Sequence, residues 1–293
     1  MPELPEVESL TRYLAQHLAG RSVARVYPLA VNALKTYDPP PTALEGRVIT
    51  AVARHGKFLD LDAGDLHLVI HLARAGWVRW HDDLPEAPPR PGKGPLALRV
   101  RLDGPDGAGP DGAGFDVTEA GTKKHLAVYV VRDPQDVPGI ARLGPDPLAA
   151  DFTAEVFTRL LEGDRRQIKG VLRDQGTIAG IGNAYSDEIL HTAKMSPFKL
   201  AAHLSADEVA RIYAAIGSTL ADAVERSAGL DLRHLKAEKK SGLRVHGRTG
   251  EPCPVCGDTI REVSFSDSSL QYCPTCQTGG KPLADRRMSR LLK

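Results

Sequence analysis

The sequence predicts an α+β multidomain chain: an N-terminal helix ahead of a β-sandwich, then a helical domain, then a small cysteine-knuckled module. Three observations predict it. The apolar period is helical over residues 5–19, twofold over about 22–132, and helical again over 151–240. Four prolines crowd residues 133–150, where the period changes. All four cysteines of the 293-residue chain fall between 253 and 276. The expected boundaries are 1–132 for the N-terminal domain, 133–150 for a linker, 151–240 for the helical domain, and 241–293 for the cysteine module and a basic tail.

Residues 5–19 place Val7, Leu10, Leu14 and Leu18 on one helical face, and Gly20 supplies a stop. Period two then marks strands at Ser22–Leu29, Arg47–Ala53, Lys57–Leu61, Leu66–Leu72, Trp77–Trp80, Leu96–Leu102 and Leu126–Arg132. The stretch 82–95 is proline-rich, and DGPDGAGPDGAG at 103–114 reads as a low-complexity loop. Asp151 is the expected cap of the next helix, whose apolar face is Phe152, Val156, Leu160 and Leu161. A basic helix follows at 165–174, then a glycine turn at 177–183, a helix at 184–193 and a long amphipathic helix at 205–227. Trp77 and Trp80 are expected in the core.

Composition excludes several classes. The net charge is only +1, so a polyanion site must be a local patch. No apolar run approaches the length of a membrane span. Residues 1–20 carry Glu3, Glu6 and Glu8 and have no apolar signal region. A cytoplasmic protein is expected, acting as a monomer and without a membrane partner. In a reducing compartment, clustered cysteines read as a metal site rather than as disulfides.

Cys253, Cys256, Cys273 and Cys276 form two CxxC knuckles separated by sixteen residues. Four thiolates at this spacing match one structural Zn²⁺, because four ligands close the tetrahedron and leave no open position for chemistry. The turn Gly180–Asn183 could present free backbone N–H groups to a phosphate, with Lys169 and Arg173 adding charge. It reads equally well as an ordinary interhelical turn. It is not a P-loop, since no Gly-Lys-Ser/Thr follows.

The chain opens Met1-Pro2-Glu3-Leu4-Pro5-Glu6-Val7. Two readings stand on these residues alone. Pro2 and Pro5 can stiffen a leader, with Pro5 in the first turn of a helix. Alternatively, Pro2 is small enough for Met1 to be removed, which exposes a secondary amine. Such an amine titrates near pH 8, so a useful share is unprotonated at neutral pH and can condense with an aldehyde carbon, with Glu3 beside it as a proton shuttle.

Together these motifs resemble the formamidopyrimidine-DNA glycosylase / endonuclease VIII family. The resemblance rests on PELPEVE at 2–8, Lys57 before an apolar strand, IHL at 70–72, LGPDPL at 143–148, GIGNAYSDEIL at 180–190, VHGRTGEPCPVCG at 245–257 and YCPTCQ at 272–277. It implies a β-sandwich, a helix–two-turn–helix domain and a C-terminal zinc finger. It also implies a bifunctional enzyme that removes a damaged base from double-stranded DNA and nicks the strand at the abasic site. By resemblance Pro2 is the Schiff-base nucleophile, Glu3 its acid/base partner, and Lys57 serves phosphate binding and β-elimination. His71, Lys169 and Asn183 match phosphate-contacting positions, and positive charge at Lys57, His71, Lys169 and Arg173 is expected to grip the strand.

Three departures touch lesion recognition and spare the covalent chemistry. Arg74 stands where the formamidopyrimidine branch has a methionine wedge. Thr118–His125 replaces a loop whose Arg-Phe pair fills the gap left by the flipped base, and only Lys123, Lys124 or His125 could substitute. Ser268 occupies the position of the finger arginine, which puts the second (δ) elimination and the excision of oxidised purines in doubt. An abasic-site lyase, or a protein that binds damage without cutting, fits the retained residues as an alternative.

Overall fold

In the computed structural model, which describes residues 1–90, 92, 94–105, 109–266 and 268–284, the chain opens on α1 (Leu4–Leu18). Glu3 is its extended N-cap. The Glu3 backbone N–H donates to Glu6 Oε2 at 2.8 Å, one half of a reciprocal capping box, and Pro5 lies in the first turn. Leu4, Val7, Leu10, Leu14 and Leu18 are all fully buried. Each such side chain contributes about 1.5–3 kcal/mol, so the helix is fixed by its apolar stripe.

Contacts divide the chain into two units, Met1–Leu143 with Ser227–Lys236, and Gly144–Arg226 with Ala237–Lys293. The first holds two four-stranded antiparallel sheets. One runs β1 (Arg21–Pro28), β6 (Leu96–Pro105), β7 (Pro110–Glu119), β5 (Gly76–His81). The other runs β2 (Ala51–His55), β3 (Phe58–Asp62), β4 (His67–His71), β8 (Ala127–Val131). Their inward residues, among them Leu59, Leu61, Leu68, Ile70, Val100, Leu102, Phe115 and Val117, share a core with α1.

The glycine-rich stretch 103–114 was expected as a loop, and its second part is instead the start of β7. Asp103 pairs with Pro110 and Arg101 with Gly114; residues 106–108 lie outside the described residues. The buried alternation Phe115–Val117 extends the ladder back into the glycines. Gly114 suits it, because a Cβ there would lie 2.3 Å from the Val100 carbonyl oxygen.

Residues 133–143 do not hang free: Val137 and Ile140 pack on Val69 and Val131. Leu232 and Leu235 likewise join the sandwich core.

The second unit comprises α2 (Ala154–Leu161), α3 (Ile168–Arg173), α4 (Asn183–Thr192) and α5 (Ala206–Arg226), then the end of α6 (Leu235–Gly242), the hairpin β9 (Arg261–Ser264)–β10 (Ser269–Tyr272), and α7 (Pro274–Thr278). Helix α2 is capped by Thr153, whose hydroxyl accepts from Val156 N–H at 3.3 Å, and not by Asp151. Phe152, Phe157 and Tyr213 cluster between α2 and α5. Of the expected basic tail, Leu283 packs against the finger and its N–H donates to Tyr272 Oη at 2.7 Å; residues 285–293 lie outside the described residues.

Candidate functional site

Pro2 is buried immediately ahead of the Glu3 cap, and Glu3 itself is only 2% exposed. The start of the chain is therefore part of the core rather than a frayed end. Glu8, in the second turn of α1, accepts from Arg54 Nε at 2.9 Å, and Arg54 lies next to the end of β2, three residues before Lys57. This ion pair ties the head of α1 to the β2–β3 turn.

Lys57 is buried in that turn. Register places Phe58 opposite His71, with ring centroids 4.6 Å apart. Burial first, and the Lys57 charge second, lower the His71 pKa to about 4. The expectation of a cationic His71 is therefore corrected. At neutral pH it is an imidazole that can donate one hydrogen bond but carries no charge.

Arg74 is exposed at the tip of the β4–β5 turn. The turn is tight: Ala73 has φ 51°, Gly76 N–H donates to Leu72 O at 2.8 Å, and a Cβ on Gly76 would lie 2.2 Å from that oxygen. The β7–β8 loop carrying Lys123 and Lys124 lies against it through Ala120 N–H to Ala75 O at 3.3 Å. Buried Glu119 shapes this loop by accepting from His125 N–H at 2.7 Å and Leu126 N–H at 3.0 Å. Lys124 Nζ donates to the Glu119 carbonyl. Arg74 and the two lysines thus sit on adjacent turns.

In the second unit, Asn183 begins α4 and its Nδ2 donates to Ser269 O at 2.7 Å, beside Ser268. Lys169 departs from expectation. Its ammonium is buried and donates to Asn183 O at 3.1 Å, Ser186 Oγ at 2.7 Å and Asp187 Oδ1 at 2.6 Å. Its three donors hold the first turns of α4, so it is a structural cation here and not an open phosphate ligand.

Sequence reasoning missed the acids that organise this region. Asp187 also accepts from His246 Nδ1 at 2.7 Å and Gln271 N–H at 3.1 Å. Glu188 accepts three successive backbone N–H groups, those of Arg244, Val245 and His246, at 2.8, 3.0 and 2.8 Å. The signal was two adjacent acids directly before the apolar pair Ile189-Leu190 of α4, where side chains this buried must be paired.

The four cysteine Sγ atoms lie within 4.8 Å of one another, with Cys256–Cys273 at 3.3 Å and Cys253–Cys276 at 3.9 Å. Tetrahedral Zn–S bonds of about 2.3 Å require sulfurs about 3.8 Å apart, so the residues fit one zinc. His191 Nε2 stands 3.3 Å from Cys253 Sγ, an outer contact that orients the ligand. With four thiolates the metal holds structure and has no open position.

A β-sandwich behind a capped N-terminal helix, a helical domain and a four-cysteine finger are together the parts of one class of DNA-repair glycosylase. The chain matches the models of the formamidopyrimidine-DNA glycosylase N-terminal domain over residues 1–111, of its H2TH domain over 143–232, and of the zinc finger found in FPG and IleRS over 250–279. It belongs to the formamidopyrimidine-DNA glycosylase family. A formamidopyrimidine-DNA glycosylase of Symbiobacterium thermophilum is 35% identical over 298 residues, covering 98% of this chain and 93% of that protein. An uncharacterised glycosylase-like protein of Mycobacterium tuberculosis is 63% identical over 151 residues, 52% of this chain and 94% of that one. The structure of the Lactococcus lactis enzyme with DNA containing an abasic site superposes with a TM-score of 0.81 at 25% identity, covering 94% of this chain and 99% of that one.

Proposed function

We propose that the chain is a base-excision DNA glycosylase with abasic-site lyase activity, that damaged double-stranded DNA is its partner, and that Pro2 is its nucleophile. Once Met1 is removed, the Pro2 nitrogen attacks the sugar C1′ of a nucleotide turned out of the duplex. The bond from C1′ to the base breaks, and the base leaves with a proton relayed by Glu3. Opening of the sugar ring leaves an iminium joining Pro2 to C1′. That cation acidifies the C2′ hydrogens; loss of one as a proton expels the 3′ phosphate and cuts the strand. Hydrolysis of the iminium frees Pro2.

Lys57 supplies charge for the flanking phosphate and for elimination. Neutral His71 and Asn183 supply hydrogen bonds to phosphate. Arg74, Lys123 and Lys124 form the cationic rim where the flipped base leaves a gap. The observation that carries this reading is Pro2 itself, buried one residue before the cap of a core helix, so that the nucleophile stands on a rigid element.

A second reading, an abasic-site lyase or a protein that binds damage without cutting, is favoured by Ser268 at the finger arginine position and by the engagement of Lys169 with Asp187. Duplexes carrying an oxidised purine, an oxidised pyrimidine or an abasic site separate the readings. A glycosylase cuts at least one base lesion as well as the abasic duplex. A lyase cuts only the abasic one, and a binder shifts all of them without nicks. Pro2→Gly should lower cutting by ~10³-fold or more; unchanged cutting would remove Pro2 from the mechanism.

A further inference from the structure

Both tryptophans of the chain, Trp77 and Trp80, line a cavity of about 560 Å³ in the first unit. Trp77 is buried in the sandwich core, as expected, and Trp80 packs half-buried against it; both also border the cavity. The cavity runs along β5, the outermost strand of its sheet, and is closed by Tyr13 of α1 and by residues from 231–236. Pro2, Glu3 and Lys57 are not part of its lining.

The wall is held in place by its own contacts. Tyr13 stacks on His17 with centroids 3.9 Å apart, and Trp80 lies 5.0 Å from His17 and 6.4 Å from Tyr13. The Trp80 indole N–H donates to Asp82 Oδ1 at 2.8 Å, and that of Trp77 donates to Leu232 O at 3.3 Å. The two carboxylates of the lining are thereby engaged, Asp82 by Trp80 and Asp231 by Arg233 at 3.0 Å. Lys236 Nζ stands 4.6 Å over the Trp77 ring. Arg79 and Lys236 both line the cavity, and burial first, with the Arg79 charge second, holds the Lys236 ammonium below its ordinary pKa.

Two cations lining one cavity with an aromatic wall suit a ligand that brings a negative charge and a flat ring together. We propose that this cavity binds a nucleotide, its base against the Trp77–Trp80 wall and its phosphate between Arg79 and Lys236. The nucleotide can come from two sources, a free mononucleotide or one residue of a single strand. The site stands whether or not Pro2 is a nucleophile.

Because the chain has no other tryptophan, indole fluorescence reports on this cavity alone. The zinc-loaded full chain is titrated with dGMP, with a short oligothymidylate, and with inorganic phosphate as a control for the anion alone. We expect saturable quenching by at least one of the first two, and which one identifies the source. Quenching should weaken at least tenfold in Arg79→Ala and in Lys236→Ala, two exposed positions whose variants should keep the parent circular dichroism. Absence of saturable change with both nucleotides at millimolar concentration overturns the proposal. So does quenching by phosphate equal to that by dGMP, or quenching that both variants leave unchanged.

Discussion

His71 packs against the Phe58 ring, and burial first and the Lys57 charge second disfavour its protonation. The folded imidazole takes its proton near pH 4 while the unfolded one takes it near 6.5. Between those values the unfolded chain binds more protons, so this residue's share of stability is complete above pH 6.5 and is lost as pH falls toward 4. We expect the His71 ring nitrogens to titrate with a midpoint near pH 4 in ¹⁵N spectra, and His71→Gln to flatten that part of the acid stability profile. A midpoint between 6 and 7 would mean an open, solvated ring. The residue types at Pro2, Lys57 and the four cysteines were legible in the sequence, because their chemistry depends on identity and spacing. The charge state of His71 was not, because it depends on strand register and burial.

Among the elements, α4 carries more of the second unit than its ten residues suggest. Its Asp187 joins Lys169 of α3, His246 and the backbone of β10, while Glu188 holds three consecutive N–H groups at the entry to the finger. Removing one member of a buried pair strands the other. Lys169→Ala should therefore cost about 3–5 kcal/mol in urea denaturation, whereas Lys169→Met with Asp187→Leu should cost far less. Equal losses would show that shape rather than charge decides.

Elements with a clean apolar period, α1 and α5 above all, were legible to within a residue or two. Strand β7 was hidden because its first half is glycine-rich and only cross-strand pairing to Arg101 and His81 makes it a strand. The Thr153 cap was missed for a different reason: Asp151 and Thr153 are both good caps, and only the path of the chain chooses between them.

At the scale of the whole molecule, each unit has its own core, and the finger's depends on metal. Val245 and Ile260 are buried among the cysteines. Cys253→Ser or exhaustive chelation should open the finger and lower duplex affinity at least ~10-fold, since metal binding and folding are one equilibrium. Circular dichroism from the α1–sandwich unit should persist. Retained affinity in metal-free protein, confirmed by zinc analysis, would place DNA binding elsewhere. No helix among the described residues is long and apolar enough to cross a membrane.

The residue proposed to perform the chemistry is the first after Met1. The most direct test of that role is to trap the protein on an abasic-site duplex with borohydride, digest the adduct, and locate the cross-link by mass spectrometry. The predicted result is a reduced sugar on the nitrogen of Pro2, in a peptide that begins PELPEVESLTR. A cross-link on Lys57 or another lysine, or no adduct from protein shown to lack Met1, would contradict it.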